Sequence, residues 1–128
     1  MKLLLDTQAF LQFIMGSSAL SRAARALIED PDNDRLFSIA SIWEIAIKSQ
    51  LGKLVLAQPF RDLIPSQMSI NGITLLPITV QHTVIVETLP LYRRDPFDRM
   101  LVAQSMVEGV PLITGDTALD RYQIERLW

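Results

Sequence analysis

The chain has 128 residues, 49% of them hydrophobic and 20% charged, a length that fits one domain spanning residues 1–128. Twelve basic side chains against 14 acidic ones leave a net charge of −2, which excludes a nonspecific nucleic-acid coat but not an enzyme that meets nucleic acid through one patch. Cysteine is absent and His82 is the only histidine, so disulfides, thiol nucleophiles and cysteine zinc sites are excluded, and a serine–histidine pair would need His82.

Lys2–Leu5 is an apolar run of strand length that Asp6 stops, too short for the apolar core of a signal peptide. Thr7–Met15 reads as a helix closed by Gly16. Leu20, Ala23, Ala24, Leu27 and Ile28 recur at helical spacing, with Ser17, Ser18 or Ser21 available as a cap and Pro31 as a stop. Leu36–Ile39 is a second strand and Ser41–Gln50 a helix. The apolar stretch Leu36–Ile47 carries Glu44 and is shorter than a bilayer span, so no membrane segment is expected and the protein is read as cytoplasmic. Pro59–Met68 is a further helix despite Pro65, and Ile73–Leu76 a third strand. Thr79–Leu89 is helical, with Val80, Val84, Ile85 and Thr88 on one face. Pro96–Glu108 is a strong helix, Pro111–Thr114 a strand, and a last short helix starts near Thr117. Strands alternating with helices predict a three-layer α/β fold around a mostly parallel sheet covered on both faces.

Four acids stand apart from the surface charges. Asp6 and Asp116 each fall just past the carboxyl end of a predicted strand, where open α/β sheets bind ligands. Both are equally well placed to cap the helices that follow. Asp98 lies in the first turn of the helix opened by Asp95-Pro96, where an acid also favours the helix dipole. Glu44 sits within Ile42–Ile47, a segment with little room for a solvated face; pairing with Lys48 one turn on is its structural explanation. Were the four to converge, each close pair would repel by about 4 kcal/mol at an effective dielectric near 20. An all-oxygen set without cysteine or a nearby histidine selects a hard divalent ion, Mg²⁺ or Mn²⁺, and suits phosphoryl chemistry.

The segments Leu4–Leu11, Ser38–Ile45 with Lys48, Arg94–Gln104 and Leu112–Asp116, in that order across nearly the whole chain, resemble the PIN-domain ribonucleases, specifically VapC-like toxins of type II toxin–antitoxin pairs. The resemblance implies a PIN-like three-layer α/β/α sandwich with a short, mostly parallel central sheet. It also implies a metal-dependent endoribonuclease that hydrolyses RNA phosphodiesters by metal-activated water. Its catalytic and metal-binding acids fall on Asp6, Glu44, Asp98 and Asp116. Thr114 matches a hydroxyl residue two before the last acid, expected to orient a water or the substrate. Asp95 matches a recurrent position but reads here as a cap. The resemblance further implies a homodimer silenced by a cognate antitoxin. Gln8 and Tyr92-Arg93 stand where relatives often carry histidine.

For the substrate's phosphates, Arg93, Arg94 and Arg99 flank the Asp95–Asp98 turn, and a guanidinium grips phosphate through two hydrogen bonds. Pairing of Arg99 with a helix acid is the rival reading. Trp43 and Phe97 are able to stack on bases but lie in apolar stretches and read as core, and His82 reads as a surface residue. The apolar residues Leu11, Phe13, Ile14 and Met15 exceed what one helix face needs, so part of that helix is expected to meet a dimer or antitoxin partner. A phosphatase built on an aspartate after the first strand needs a second aspartate two residues later, where this chain has Gln8. A non-catalytic PIN-fold module that binds RNA or protein stays open as the alternative.

Overall fold

The computed structural model describes residues 1–128. The chain runs β1 (Lys2–Leu5), α1 (Thr7–Ile14), α2 (Arg22–Glu29), β2 (Asp34–Ser38), α3 (Ile39–Gln50), α4 (Phe60–Ile70), β3 (Ile73–Leu76), α5 (Val80–Thr88), α6 (Pro96–Glu108), β4 (Leu112–Ile113), a 3₁₀ turn (Thr117–Arg121) and β5 (Arg126–Leu127). All strand pairings are parallel, in the order β3-β2-β1-β4-β5. From β1 the chain winds outward through β2 to β3, then crosses back to lay β4 and β5 on the other side. The reversal falls between β1 and β4, and the crevice beyond their carboxyl ends is where such sheets bind ligands.

Alternation along the strands divides the core into two layers. Leu3, Leu5, Phe37 and Ile113 face one side and pack with Ala9, Phe10, Ala24, Ile28, Ile45 and Ile64 from α1 to α4. Leu4, Leu76 and Leu112 face the other and pack with Leu101, Val102 and Ala103 of α6 and with Leu89 beyond α5. Burial on both faces explains why β1 is unbroken leucine rather than an alternation of apolar and polar residues. Phe10 and Phe37 stack at the centre of the first layer, with ring centroids 4.1 Å apart.

The caps are local. The side chains of Asp6, Ser21, Ser38, Thr79, Asp95 and Asp116 each accept a backbone N–H at the start of the following helix or turn. α6 stops at Gly109, whose φ of 65° is the left-handed conformation that glycine takes without strain. The Ser38 cap, 3.0 Å from the Ala40 N–H, starts α3 at Ile39, two residues ahead of the expected Ser41.

Four expectations need correction. The face of α5 named from the sequence is largely outside, since Val80 is 79% and Val84 56% exposed. Of that face only Ile85 packs on the core, and His82 and Val86 hold the helix with it, with Leu89 just past its end. His82 is fully buried, not on the surface. Its Nδ1 accepts the Thr79 N–H at 3.0 Å, and its Nε2 lies 2.9 Å from the Glu108 carboxylate on α6. β4 is only two residues long, because Pro111 before it has no N–H to give a ladder. β5 was not foreseen; two residues are too few to show any periodicity.

Candidate active site

Parallel strands deliver every following helix with its N-terminus at the same edge of the sheet. Asp6 follows β1 and caps α1, accepting the Ala9 N–H at 2.6 Å. Asp116 follows β4 and caps the 3₁₀ turn through the Ala118 N–H at 3.1 Å. Asp95 caps α6 and sets Asp98 in its first turn. Glu44 arrives from the middle of α3, whose inward positions are Ala40, Ser41, Glu44 and Ile45.

These acids line one pocket of about 430 Å³, together with Thr7, Gln8, Gln12, Lys48, Thr114, Gly115 and Trp128. The sequence-derived set of Asp6, Glu44, Asp98 and Asp116 is therefore brought to one place, with Thr114 among them.

Each acid is held differently. Glu44 is 7% exposed, with both oxygens engaged: Thr7 Oγ1 donates to Oε1 at 2.6 Å and Lys48 Nζ to Oε2 at 2.6 Å. That hydrogen bond to Glu44 is the main cause that holds the Lys48 ammonium above its ordinary pKa. Burial pushes the Asp6 carboxyl up, and the Glu44 charge adds to it; hydrogen bonds from the Thr114 hydroxyl and the Ala9 N–H pull the other way. Asp98 is pushed up to about 6, first by burial and then by the charges of Asp95, Glu44 and Asp6, against the lowering effect of Arg93. Arg93 is the cation on the far side: its guanidinium bonds Asp116 and lies 3.5 Å from Asp98.

The outcome for the proposed phosphate binders is mixed. Arg94 is exposed, is not among the pocket's lining residues and makes no side-chain hydrogen bond. Arg99 does not face the pocket. It is buried, with NH1 donating to the Pro90 and Arg93 carbonyls at 3.0 and 3.3 Å and NH2 to those of Val86 and Leu89 at 3.0 and 3.2 Å. A side chain with this many backbone partners is a brace for the 86–93 segment, not a phosphate ligand, and no helix acid pairs with it. Tyr122 completes the brace by donating to the Pro90 carbonyl at 2.7 Å and accepting the Arg93 N–H at 3.0 Å. Arg93 is thereby fixed in front of the acids.

Trp43 is not core: it is 61% exposed and meets the half-buried Phe97 edge-on at 5.4 Å. The inward positions of α3 leave residue 43 outside, which the uniformly apolar segment conceals. Of the apolar residues expected on the surface of α1, Leu11 is buried, Phe13 and Ile14 are half-buried, and Met15 is 66% exposed. A second, wholly apolar groove of about 490 Å³ joins Leu11, Ile14 and Met15 to Val55, Leu56, Ala57 and Leu63.

Sequence reasoning passed over Thr7, Gln12 and Trp128. Thr7 and Gln12 follow Asp6 within the first turns of α1, so proximity along that helix was an available signal. Trp128 carried none.

The donor set is all hard oxygen, and the raised carboxyls of Asp6 and Asp98 mark a concentration of negative charge that a cation would relieve. No three acidic or imidazole side chains are gathered as ready ligands; Lys48 pairs with Glu44, and Arg93 with Asp98 and Asp116. Chemically the residues fit a hard divalent ion; binding one requires Arg93 to give way.

A family model described as the PIN domain matches residues 3–125. Ribonuclease VapC16 of Mycobacterium tuberculosis (strain ATCC 25618 / H37Rv) is 41% identical over 59 residues, 46% of this chain and 42% of the relative, so the chain spans less than half the length of that curated relative. Among solved structures, VapBC2 from Rickettsia felis, bound to a DNA fragment from its promoter, superposes over 100% of this chain and 99% of its own with a TM-score of 0.75 at 13% identity. FitAcB from Neisseria gonorrhoeae gives 0.66 at 17% identity, covering 98% of this chain and 96% of its own. VapBC-5 from Mycobacterium tuberculosis, of a family of toxin–antitoxin systems, gives 0.60 at 18% identity, covering 98% of each chain. At these identities the superpositions speak for the fold.

Proposed function

This chain belongs to the PIN-domain family, and from that premise we propose that it is a divalent-metal-dependent endoribonuclease, the toxin of a toxin–antitoxin pair. The observation that carries the proposal is that Asp6, Glu44, Asp98 and Asp116 line one pocket at the switch point of the sheet. Asp6 and Asp98 would hold a Mg²⁺ or Mn²⁺ ion, with Asp116 completing its site directly or through water. Such an ion, when bound, makes water nucleophilic at neutral pH and neutralises charge on the phosphate. Glu44, held rigidly by Thr7 and Lys48, orients the attacking water and accepts its proton. Thr114 lines the pocket with Asp6, where its hydroxyl favours the charged carboxylate, and accepts the Asp116 N–H at 3.1 Å. Arg93, the guanidinium that meets Asp98 and Asp116, is the arginine placed to bind a substrate phosphate, a role the sequence reading shared among Arg93, Arg94 and Arg99.

Ribonuclease VapC16 names the activity of one relative, and the similar solved structures include toxin–antitoxin complexes. The apolar groove beside α1 supports a partner at that face, consistent with an antitoxin or a second copy of the chain. No helix is long and apolar enough to cross a membrane.

Incubation of purified protein with single-stranded RNA and Mg²⁺ or Mn²⁺ tests the activity. Fragments ending in 5′-phosphate and 3′-hydroxyl are expected, with no cutting in EDTA or by Asp6→Asn. A 2′,3′-cyclic phosphate product, or cutting that survives EDTA, would overturn the mechanism. A second reading, a non-catalytic module, draws on the ion pairs that already neutralise the site. Calorimetry decides between them: Mn²⁺ heat that depends on Asp6 and Asp98 rules out the module with acids serving only as caps.

A further inference from the structure

The acidic pocket has a single apolar wall. Eleven of its twelve lining residues are polar, charged or glycine; the remaining one is Trp128. The indole is held there by construction. The pairing of β5 with β4, Ile113 opposite Leu127, carries the chain end to this edge of the sheet, and the indole lies on Gly115, where a Cβ would come within 2.9 to 3.3 Å of three indole carbons. Gly115 is therefore a cradle for the ring, between Thr114 and Asp116. Gln12 lines the same pocket, and its Oε1 is buried without a hydrogen-bond partner. A buried amide oxygen left unpaired is costly unless a ligand satisfies it.

A flat aromatic wall and an unpaired amide beside a phosphodiester-cleaving centre have the features that recognise a splayed-out nucleobase: a stacking surface and a hydrogen-bonding edge. We propose that Trp128 and Gln12 form a nucleobase subsite for the nucleotide flanking the scissile phosphate, the base stacking on the indole and an N–H of its edge donating to Gln12 Oε1. The subsite rests on the ribonuclease reading above. It deepens that reading by naming the two side chains that would receive a base beside the cut. Trp128 and Gln12 are positioning residues for the substrate and do not touch the reacting atoms.

Two measurements test it. In a Trp43→Phe background Trp128 is the only tryptophan, because the chain has two. Its fluorescence is followed as a single-stranded oligoribonucleotide is added, and again with an abasic ribose-phosphate oligomer of equal length. Quenching by the first and not by the second is expected. In steady-state cleavage, Trp128→Ala should raise KM by about fivefold to a hundredfold, the range of one lost base–aromatic stack, with a smaller change in kcat. Trp128→Phe should restore most of the loss, and Gln12→Leu should raise KM in the same direction. An abasic nucleotide at the flanking position should erase the difference between wild type and Trp128→Ala. Cleavage by the wild type with no quenching, or with equal quenching by the abasic oligomer, overturns the subsite and leaves the nuclease reading intact. Failure of the wild type to bind or cut any RNA overturns both. The fluorescence arm leaves Trp128 in place, so the test stands even if Trp128→Ala does not fold.

Discussion

Replacing Asp98 by asparagine should make the metal-free protein more stable at neutral pH, although it removes a residue proposed to be essential. The Asp98 carboxyl titrates at about 6 in the folded protein against 3.8 for an unperturbed aspartate, first because it is buried and then because Asp95, Glu44 and Asp6 are near. Below 3.8 the group is protonated whether the chain is folded or not, and it exacts no penalty. Between 3.8 and about 6 the folded protein holds a proton that the unfolded chain has released, so stability falls as pH rises; above about 6 the loss is complete. The interval between the two values is worth about 3 kcal/mol at about 1.4 kcal/mol per pH unit. With an unfolding entropy of about 2.1 cal/mol/K per residue, that is roughly 10 °C in melting temperature for a chain of this size. Asparagine has the same shape and no charge to desolvate. Thermal melts of wild type and Asp98→Asn from pH 3.5 to 8, without metal, should coincide at the acid end and separate above pH 6, the variant melting higher. Mn²⁺ should then reverse the order: at a thousand times its dissociation constant a ligand adds about 4.1 kcal/mol, more than the variant's advantage, and only the wild type retains the full site. A variant less stable than wild type at pH 8, or a gap that does not change with pH, would show that Asp98 is not under electrostatic strain.

Arg93→Ala removes the guanidinium that bonds Asp116 and flanks Asp98, and should tighten Mn²⁺ binding on the order of tenfold by calorimetry, the equivalent of about 1.4 kcal/mol. Unchanged or weaker binding would mean that Arg93 does not compete with metal for the acids. Arg99→Ala strands the carbonyls of Leu89 and Arg93, takes one of two donors from those of Val86 and Pro90, and should cost about 3 kcal/mol in urea unfolding. A wild-type midpoint would show that the 86–93 segment does not depend on this brace.

Where a residue's environment is set by its own neighbours in sequence, the reading was sound. The leucines of β1, the helix over Pro96–Glu108 with its Asp95 cap, and the strand Ile73–Leu76 all follow from local pattern and capping chemistry. The three-layer α/β class followed from the alternation of elements. The misses were decided by tertiary contact. His82 is buried because Glu108, 26 residues away, gives its Nε2 a partner. Arg99 is buried because the chain segment before it loops back and offers four carbonyls, which charge and spacing do not announce. Trp43 is exposed because α3 turns two polar residues, Ser41 and Glu44, inward, against the ordinary hydrophobic order. Trp128 reaches the pocket only through the pairing of β5 with β4, a strand too short to see.

Capping and metal binding are not rival accounts of the acids. A parallel sheet sends each helix off from the same edge, so any aspartate that caps a helix there is already beside the others, and Asp6, Asp95 and Asp116 gather for that reason. Serine caps equally well, as Ser38 does for α3. Capping alone therefore gives no cause to choose three carboxylates over three hydroxyls, at the expense of their mutual repulsion. Glu44 and Asp98 separate the accounts, because neither is a cap. Glu44 lies in the interior of α3, where an apolar residue would pack without the Thr7 and Lys48 bonds it now requires. Asp98 carries a pKa raised first by burial and then by the neighbouring acids Asp95, Glu44 and Asp6, although an N-terminal first turn favours the charged carboxylate. Two acids held against local preference, aimed at the place where three caps meet, are what a cation-binding centre requires and what a capping scheme does not.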